Sequence, residues 1–488
     1  MSRDKLISPI FNFPITFTFS LLLAIVAIRG FSRGFAEVTY ILIGEKSLPK
    51  FIVFLSTLIL LVVLEHSHNA LKVIHFFLRL ILRFSKHYLR KTHNLIALFL
   101  VFISINAIVL INLGNNSVFA KQIYSIYRIN PIYPQFADLR TTLIAIQCPE
   151  VNQIGDYIVC GDRGNNWTYP TVLLMLRVFG VNEKVTNYLM LFVLLSLTSL
   201  IYYLMKQTNA VSLLYSLLLL NCPPFLIVIE RGNVDLIIFT LLITILFLLN
   251  RNSMSAFALI FSAALIALAS FLKFYPLFAF APIIYISIRN IRRLGIAPAA
   301  ITSFIGMLSL AVLIHDFRAL SNYTVNDLSG SVGLRNIYAL TFGLENSKEI
   351  PLWSFLIFST LIFLPFTKNI WQVSTFYPQT DIYLRVQLLI TSTIATIPLL
   401  LTTNYYYRLI FLFPLTYLLS KIFTSQGKEM QNNLIVYIFL PIFLAYLLVF
   451  RSFALLQNVI LLPVYLLIFC FITHEFREIR HLISMEIR

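Results

Sequence analysis

The stretch VDLIIFTLLITILFLL, running from Val234 to Leu249, decides the fold class. It is apolar on every side apart from Asp235 near its start and two threonines, and it never alternates polar with apolar positions. A chain in lipid must satisfy every backbone N–H and C=O internally, which leaves α-helices or a closed β-barrel. An unbroken apolar run selects the helix. Working outward, the same pattern recurs along the chain, which is 59% hydrophobic, 12% charged and has a mean hydropathy of +0.85. That leaves too little polar surface to cover a water-soluble globule, and the expectation is an all-α, polytopic, integral membrane protein.

Helical spans need about 20 mostly apolar residues. Before Val234 they are expected at Phe11 to Ile28, Phe51 to Leu64, Leu95 to Leu113, Val185 to Met205 and Val211 to Ile229. After it come Ala256 to Leu272, Pro276 to Ile288, Ala299 to Ile314, Leu352 to Phe366, Leu384 to Leu401, Leu409 to Phe423, Leu434 to Val449 and Leu455 to Ile472. The total is about 14 spans, with both termini inside. The first follows Arg3 and Lys5 without a small-residue cleavage site and reads as a retained signal anchor. Asn69 to His93 is a basic amphipathic stretch, expected along the cytoplasmic surface. With the Arg289, Arg292, Arg293 cluster and the Arg477, Arg480 tail, it fixes the orientation. The net charge of +17 is spread over such short loops, with no soluble basic domain to present it to nucleic acid. Membrane lipid is the expected partner of that charge.

This orientation puts the longest polar interval, Gly114 to Lys184, on the extracytoplasmic side. Such a loop is too long to be featureless. Asp138 to Gln147 places Leu139, Leu143 and Ile146 at helical spacing, and Tyr169 to Gly180 is apolar except for Arg177. Both are too short to span and are expected to be interfacial helices. Cys148 and Cys160 can close a disulfide if the loop faces an oxidising compartment. Cys222 and Cys470 sit in or beside apolar runs as packing residues.

The chain has no Gly-rich nucleotide fingerprint, phosphate-loop Lys, zinc-protease His pair or Asp-x-Asp motif, so no metal or cofactor is expected. His66 and His68 form a close pair better read as surface residues. Asn115, Asn166 and Asn322 open Asn-x-Ser/Thr triplets on the expected outer side. Polar clusters at span ends remain: Glu230-Arg231-Gly232-Asn233-Val234-Asp235, Lys273-Phe274-Tyr275-Pro276 and Thr402 to Arg408. All three face the same side as Asp138 in this topology. Any one of them alone reads as an ordinary snorkelling or interface group. Together, Arg231, Lys273 and Arg408 at headgroup depth fit a phosphate pocket, with Asn and Tyr side chains for sugar hydroxyls. Asp138 is favoured over Glu150, Asp156, Asp162, Asp316 and Asp327 because it opens an interfacial helix instead of a flexible tip.

In order along the chain, Phe136-Ala137-Asp138-Leu139-Arg140, Asn166-Trp167-Thr168-Tyr169-Pro170, Glu230 to Asp235, Leu272 to Pro276 and Asn404-Tyr405-Tyr406-Tyr407-Arg408 resemble multispanning glycosyltransferases of the C-type fold. The similarity is to the polyprenyl-phosphate-sugar-dependent group that includes the family 87 mannosyltransferases and their domain-of-unknown-function relatives. It implies a domain over 95–488, with 114–184 as its catalytic extracytoplasmic loop. Residues 1–94 would then be an accessory transmembrane hairpin with the basic stretch. The implied reaction moves a hexose, such as mannose, from a polyprenyl-phosphate donor to a lipid or glycan acceptor with inversion. The implied setting is the outer face of a bacterial inner membrane. Asp138 would be the general base, and Arg231, Lys273 and Arg408 would hold the donor phosphate. Arg140, Tyr169, Asn233, Asp235, Tyr275, Asn404 and Tyr407 would bind substrate. A departure from the family pattern is that two spans precede the one leading to the catalytic loop. The rival from another class is a multispanning lipid or glycan transporter or flippase, which would carry charge near mid-membrane and show repeated halves.

Overall fold

The computed structural model describes residues 136–160, 167–206, 223–249, 255–320, 367–375, 382–401, 404–423 and 461–486, with isolated positions between them. The expected spans at Phe11 to Ile28, Phe51 to Leu64, Leu95 to Leu113 and Leu352 to Phe366 lie outside the described residues, as do the basic stretch, His66, His68, Asn115, Asn166, Asn322 and Cys222. So do most of Val211 to Ile229 and of Leu434 to Val449.

The described chain is mostly helical. In order, its helices are α1 (Ala137–Gln147), α2 (Thr186–Lys206), α3 (Pro223–Arg231), α4 (Val234–Leu249), α5 (Ala256–Leu272), α6 (Phe280–Arg289), α7 (Ile291–Leu294), α8 (Ala297–Leu320), α9 (Thr367–Ser374), α10 (Ile382–Leu401), α11 (Leu412–Phe423) and α12 (Leu462–Glu486). Local sequence explains several of their ends. Ser255 caps α5, its side chain accepting from the Ala258 amide at 3.1 Å. Pro276 opens a short 3₁₀ helix, Tyr275–Ala279, where its missing N–H costs nothing, and this leads into α6. The apolar run from Tyr169 also becomes 3₁₀, over Thr171–Arg177.

By length and composition, two described helical segments can cross a membrane, Glu183–Ile201 and Ala297–Asp316. A third crossing follows if the bent pair α3 and α4 counts as one span. Other apolar helices, such as Ala256–Leu272, are shorter. The outer faces of α2 and α8 carry Tyr188, Phe192, Phe304 and Met307, all more than half exposed. Apolar faces of this extent suit a lipid solvent, so the architecture is compatible with a helical membrane protein.

Between α3 and α4 the chain turns by 115° at Gly232-Asn233. The sequence reading has two spans meeting there; the described part of the first is the nine-residue α3. This turn brings polar groups to one end of the bundle. α5 packs between α4 and α8, while α10 packs on α6, α11 and the Tyr275–Ala279 turn. A two-residue antiparallel ladder, β1 (Ser331–Val332) with β2 (Asn404–Tyr405), joins the loop after α8 to the segment after α10. The expected outer loops are therefore in contact with each other.

Candidate active site

The site starts from an interlock of two backbones. Phe136 precedes α1 in the left-handed region, φ 55° and ψ 41°, and its side chain is fully buried. A bulky residue adopts that conformation only where the surroundings dictate it. The surroundings here are the α3–α4 turn: the Phe136 amide donates to the Glu230 carbonyl at 3.3 Å. Gly232, itself at φ 59°, lies so close that a Cβ on it would sit 2.6 Å from the Phe136 Cβ. Only glycine fits there, on both conformational and steric grounds.

α1 then starts with Asp138 in its first turn, where the helix dipole favours a carboxylate. Leu139, Leu143 and Ile146 are buried, as their spacing predicts. The Asn233 amide Nδ2 donates to Asp138 Oδ2 at 2.7 Å. The other end of the same side chain, Oδ1, accepts from the Asp235 backbone N–H at 2.9 Å and from Lys273 Nζ at 3.4 Å. Asn233 thus caps α4 and links the loop carboxylate to the interior.

Beneath it is Asp235, whose side chain is 0% exposed. Its Oδ1 lies 2.9 Å from Lys273 Nζ and accepts from the Tyr275 hydroxyl, also at 2.9 Å. Its Oδ2 accepts from Arg408 Nε at 3.2 Å. Lys273 and Arg408 are 13% and 17% exposed, so these ion pairs are largely withdrawn from solvent screening. Arg408 also stands over the Tyr275 ring, 5.7 Å from its centroid, and Lys273 over the Tyr169 ring at the same distance. Burial pushes the Lys273 ammonium below its ordinary pKa, against the pull of Asp235, and raises the Tyr169 phenol. Tyr169 therefore keeps its proton as a donor through the physiological range.

Seven residues singled out from the sequence come together in this way: Asp138, Tyr169, Asn233, Asp235, Lys273, Tyr275 and Arg408. Two of them are enclosed by protein: Asp235 and Tyr275 are buried, and Asp235 pairs with both cations and accepts from the Tyr275 hydroxyl. Arg231 pairs with its neighbour Glu230, Nε to Oε2 at 3.1 Å. Arg140 pairs with Glu183 at 3.2 Å. The backbones of Asn404 and Tyr407 lie in β2 and in the 3₁₀ helix Tyr406–Phe411, while their side chains lie outside the description.

Arg177 and Asp316 support the site without having been assigned a part in it from the sequence, whereas the Cys148–Cys160 pairing was anticipated. Arg177 donates from Nε to the Ile146 carbonyl at 2.7 Å, and from Nη2 to those of Cys148 at 2.6 Å and Val151 at 2.8 Å, closing the C-terminal end of α1. Its isolation in an apolar run was the available hint. Asp316 Oδ2 accepts from the Thr171 amide and hydroxyl at 2.6 and 2.7 Å, tying the loop to the end of α8. The Cys148 and Cys160 sulfurs are 2.07 Å apart, a disulfide, with the Glu150 carboxylate 3.1 and 3.2 Å away. These three side chains have the makings of a metal site, but bonded sulfurs have no thiolate to offer. Cys470 is a free, buried packing residue.

No family model, curated protein or solved structure matches this chain.

Proposed function

We propose that the protein is a membrane glycosyltransferase of the C-type fold, moving a hexose from a polyprenyl-phosphate donor to a lipid or glycan acceptor on the extracytoplasmic face of a bacterial plasma membrane. The observation that carries the reading is the linkage of Asp138, through Asn233, to the buried Asp235–Lys273–Arg408 cluster. It puts a carboxylate beside cations held at fixed positions, as base-assisted displacement of a phosphate requires.

In the proposed step, Asp138 takes the proton of the acceptor hydroxyl. The oxygen attacks the anomeric carbon, and the bond from that carbon to the phosphate oxygen breaks with inversion. The bonding pair leaves on the polyprenyl phosphate, whose gained charge faces Lys273 and Arg408. Asp235 already neutralises much of this cationic charge, so the pocket is balanced and not strongly electropositive. An ammonium has three donors, and Asp235 and Asn233 engage two of those on Lys273, leaving one to meet a phosphate oxygen. Asn233 keeps one oxygen of Asp138 occupied and so turns the other toward the acceptor.

The test is sugar transfer in membranes supplied with a panel of labelled polyprenyl-phosphate sugars. Asp138→Asn keeps the shape of the side chain and removes the base, and transfer is expected to fall by about 10² to 10⁴-fold at unchanged protein level. Full transfer by that variant would overturn the assignment. Movement of labelled lipid across the membrane without any transfer would favour the transporter reading.

A further inference from the structure

The loop that follows α1 brings three metal-binding side chains to one point. Cys148 Sγ, Cys160 Sγ and a Glu150 carboxylate oxygen all lie within 4.8 Å of one another. Glu150 Oε2 stands 3.1 Å from the first sulfur and 3.2 Å from the second. Because the sulfurs are bonded to each other, neither carries a hydrogen, and neither contact is a hydrogen bond. The carboxylate therefore faces two acceptor atoms with no donor between them. Reduction would turn this arrangement into two thiols and a carboxylate around one centre.

The shape of the loop does not rest on the S–S bond alone. Arg177 Nη2 donates to the Cys148 and Val151 carbonyls at 2.6 and 2.8 Å, and the Val151 amide donates to the Cys148 carbonyl at 3.1 Å. Asp156 Oδ2 accepts from the amides of Asn152 and Gln153 at 2.8 and 2.9 Å. The chain is then closed onto Trp167, whose N–H donates to the Asp156 carbonyl at 2.8 Å and whose carbonyl accepts from the Gly155 amide at 2.9 Å. Val151, Ile154 and Ile158 anchor the loop in the core. This frame keeps the three side chains together when the sulfurs part. Cys148 is buried at the end of α1, whereas Cys160 is exposed and within reach of a thiol reductant.

We propose that this loop is a reduction-dependent zinc site, with Cys148, Cys160 and Glu150 as ligands and water in the fourth position. The reductant is a dithiol. One of its thiolates attacks Cys160 Sγ, the disulfide breaks, and the bonding pair leaves on Cys148 Sγ. Its second thiol then displaces Cys160, and the reductant departs as a disulfide. The protein has gained two electrons and two protons. Zinc binds both sulfurs as thiolates, and the two protons go to water. A tetrahedral zinc holds sulfur at about 2.3 Å and oxygen at about 2.1 Å, which sets the sulfurs about 3.8 Å apart and each about 3.6 Å from the oxygen. Thiolates select zinc over magnesium or calcium, which take oxygen ligands. Three protein ligands with one water is a coordination that zinc commonly adopts. The site lies at the opposite end of α1 from Asp138, and neither assignment depends on the other.

The test uses the full chain in detergent, reduced with a phosphine and then freed of it without oxygen, with cobalt(II) as the coloured stand-in for zinc. The reduced wild type should bind one equivalent of cobalt with a thiolate-to-metal charge-transfer band, and one equivalent of zinc should abolish that band. The oxidised protein should show none. Replacing Cys222 and Cys470 with Ser should leave the band intact, while Cys160→Ser should remove it. Glu150→Gln alters an exposed side chain and keeps both sulfurs. In its reduced form zinc should bind at least tenfold more weakly, since losing even an outer partner of a metal ligand costs about 10–100-fold. No band in the reduced wild type would overturn the site, as would a band that survives Cys160→Ser. Unchanged zinc affinity in Glu150→Gln would overturn it too, because the sulfurs would then hold the metal without the carboxylate.

Discussion

Asp138 and Asp235 are both acidic, both near a helix start and both tied to Asn233, yet they do different work. Asp138 has one oxygen occupied by Asn233 and stays at the site's edge, whereas Asp235 is enclosed by Lys273, Tyr275 and Arg408. Removing one member of a buried ion cluster leaves its partners as uncompensated charge, typically at a cost of 3–5 kcal/mol, about half the stability of an ordinary domain. Asp235→Asn is therefore expected to lower the thermal midpoint in detergent sharply, whereas Asp138→Asn leaves it near wild type. An unchanged midpoint in Asp235→Asn would mean that the cluster does not hold the fold. The sequence placed both residues on one side of the membrane. It offered no sign of which was enclosed, because that depends on Arg408, which is 173 positions away from Asp235.

At the scale of elements, helix existence was legible and helix joining was not. The apolar run of α4 begins where its composition says, since Gly232-Asn233 marks that boundary. The 115° turn before it was not legible, because its geometry follows from the fit of Gly232 against Phe136 and not from local propensity. For the same reason Arg177 read as a lone charge, although it closes three carbonyls at the end of the helix that carries Asp138. Arg177→Gln removes those bonds at about 1 kcal/mol or more each. The expected outcome is a frayed end to α1, seen as faster amide exchange at Cys148 and Val151, with unaltered exchange in α5. Protection equal to wild type at those amides would remove Arg177 from that role.

For the whole molecule, the expected topology put the loop of Asp156 and the turn of Arg292 on opposite faces. Reporter fusions at these two positions should read opposite compartments, and same-side readings would break that arrangement. Arg385 Nε donates to Glu475 Oε1 at 2.7 Å, both side chains being 6% exposed, and this buried pair supplies a stability test remote from Asp138. Glu475→Ala alone should destabilise by about 3–5 kcal/mol, whereas replacing Arg385 with Met and Glu475 with Leu together should be near neutral or stabilising, read as unfolding midpoints. Equal losses in the two cases would mean the pair is worth more than its packing. That polar residues gather at opposite ends of the bundle was legible from where the apolar runs stop; which of them touch was not, since every such contact is made between distant segments. The interlock of Phe136 with Gly232 also has a consequence for biogenesis. Asp138 meets Asn233 only once 95 further positions have been made, and Asp235 acquires Arg408 only after another 173. During synthesis the outer loop must therefore wait, undocked, for the turn to arrive, and the buried aspartate must wait longer for its cation. A ribosome stalled between those points would carry a chain whose loop is seated but whose central charge is unmatched.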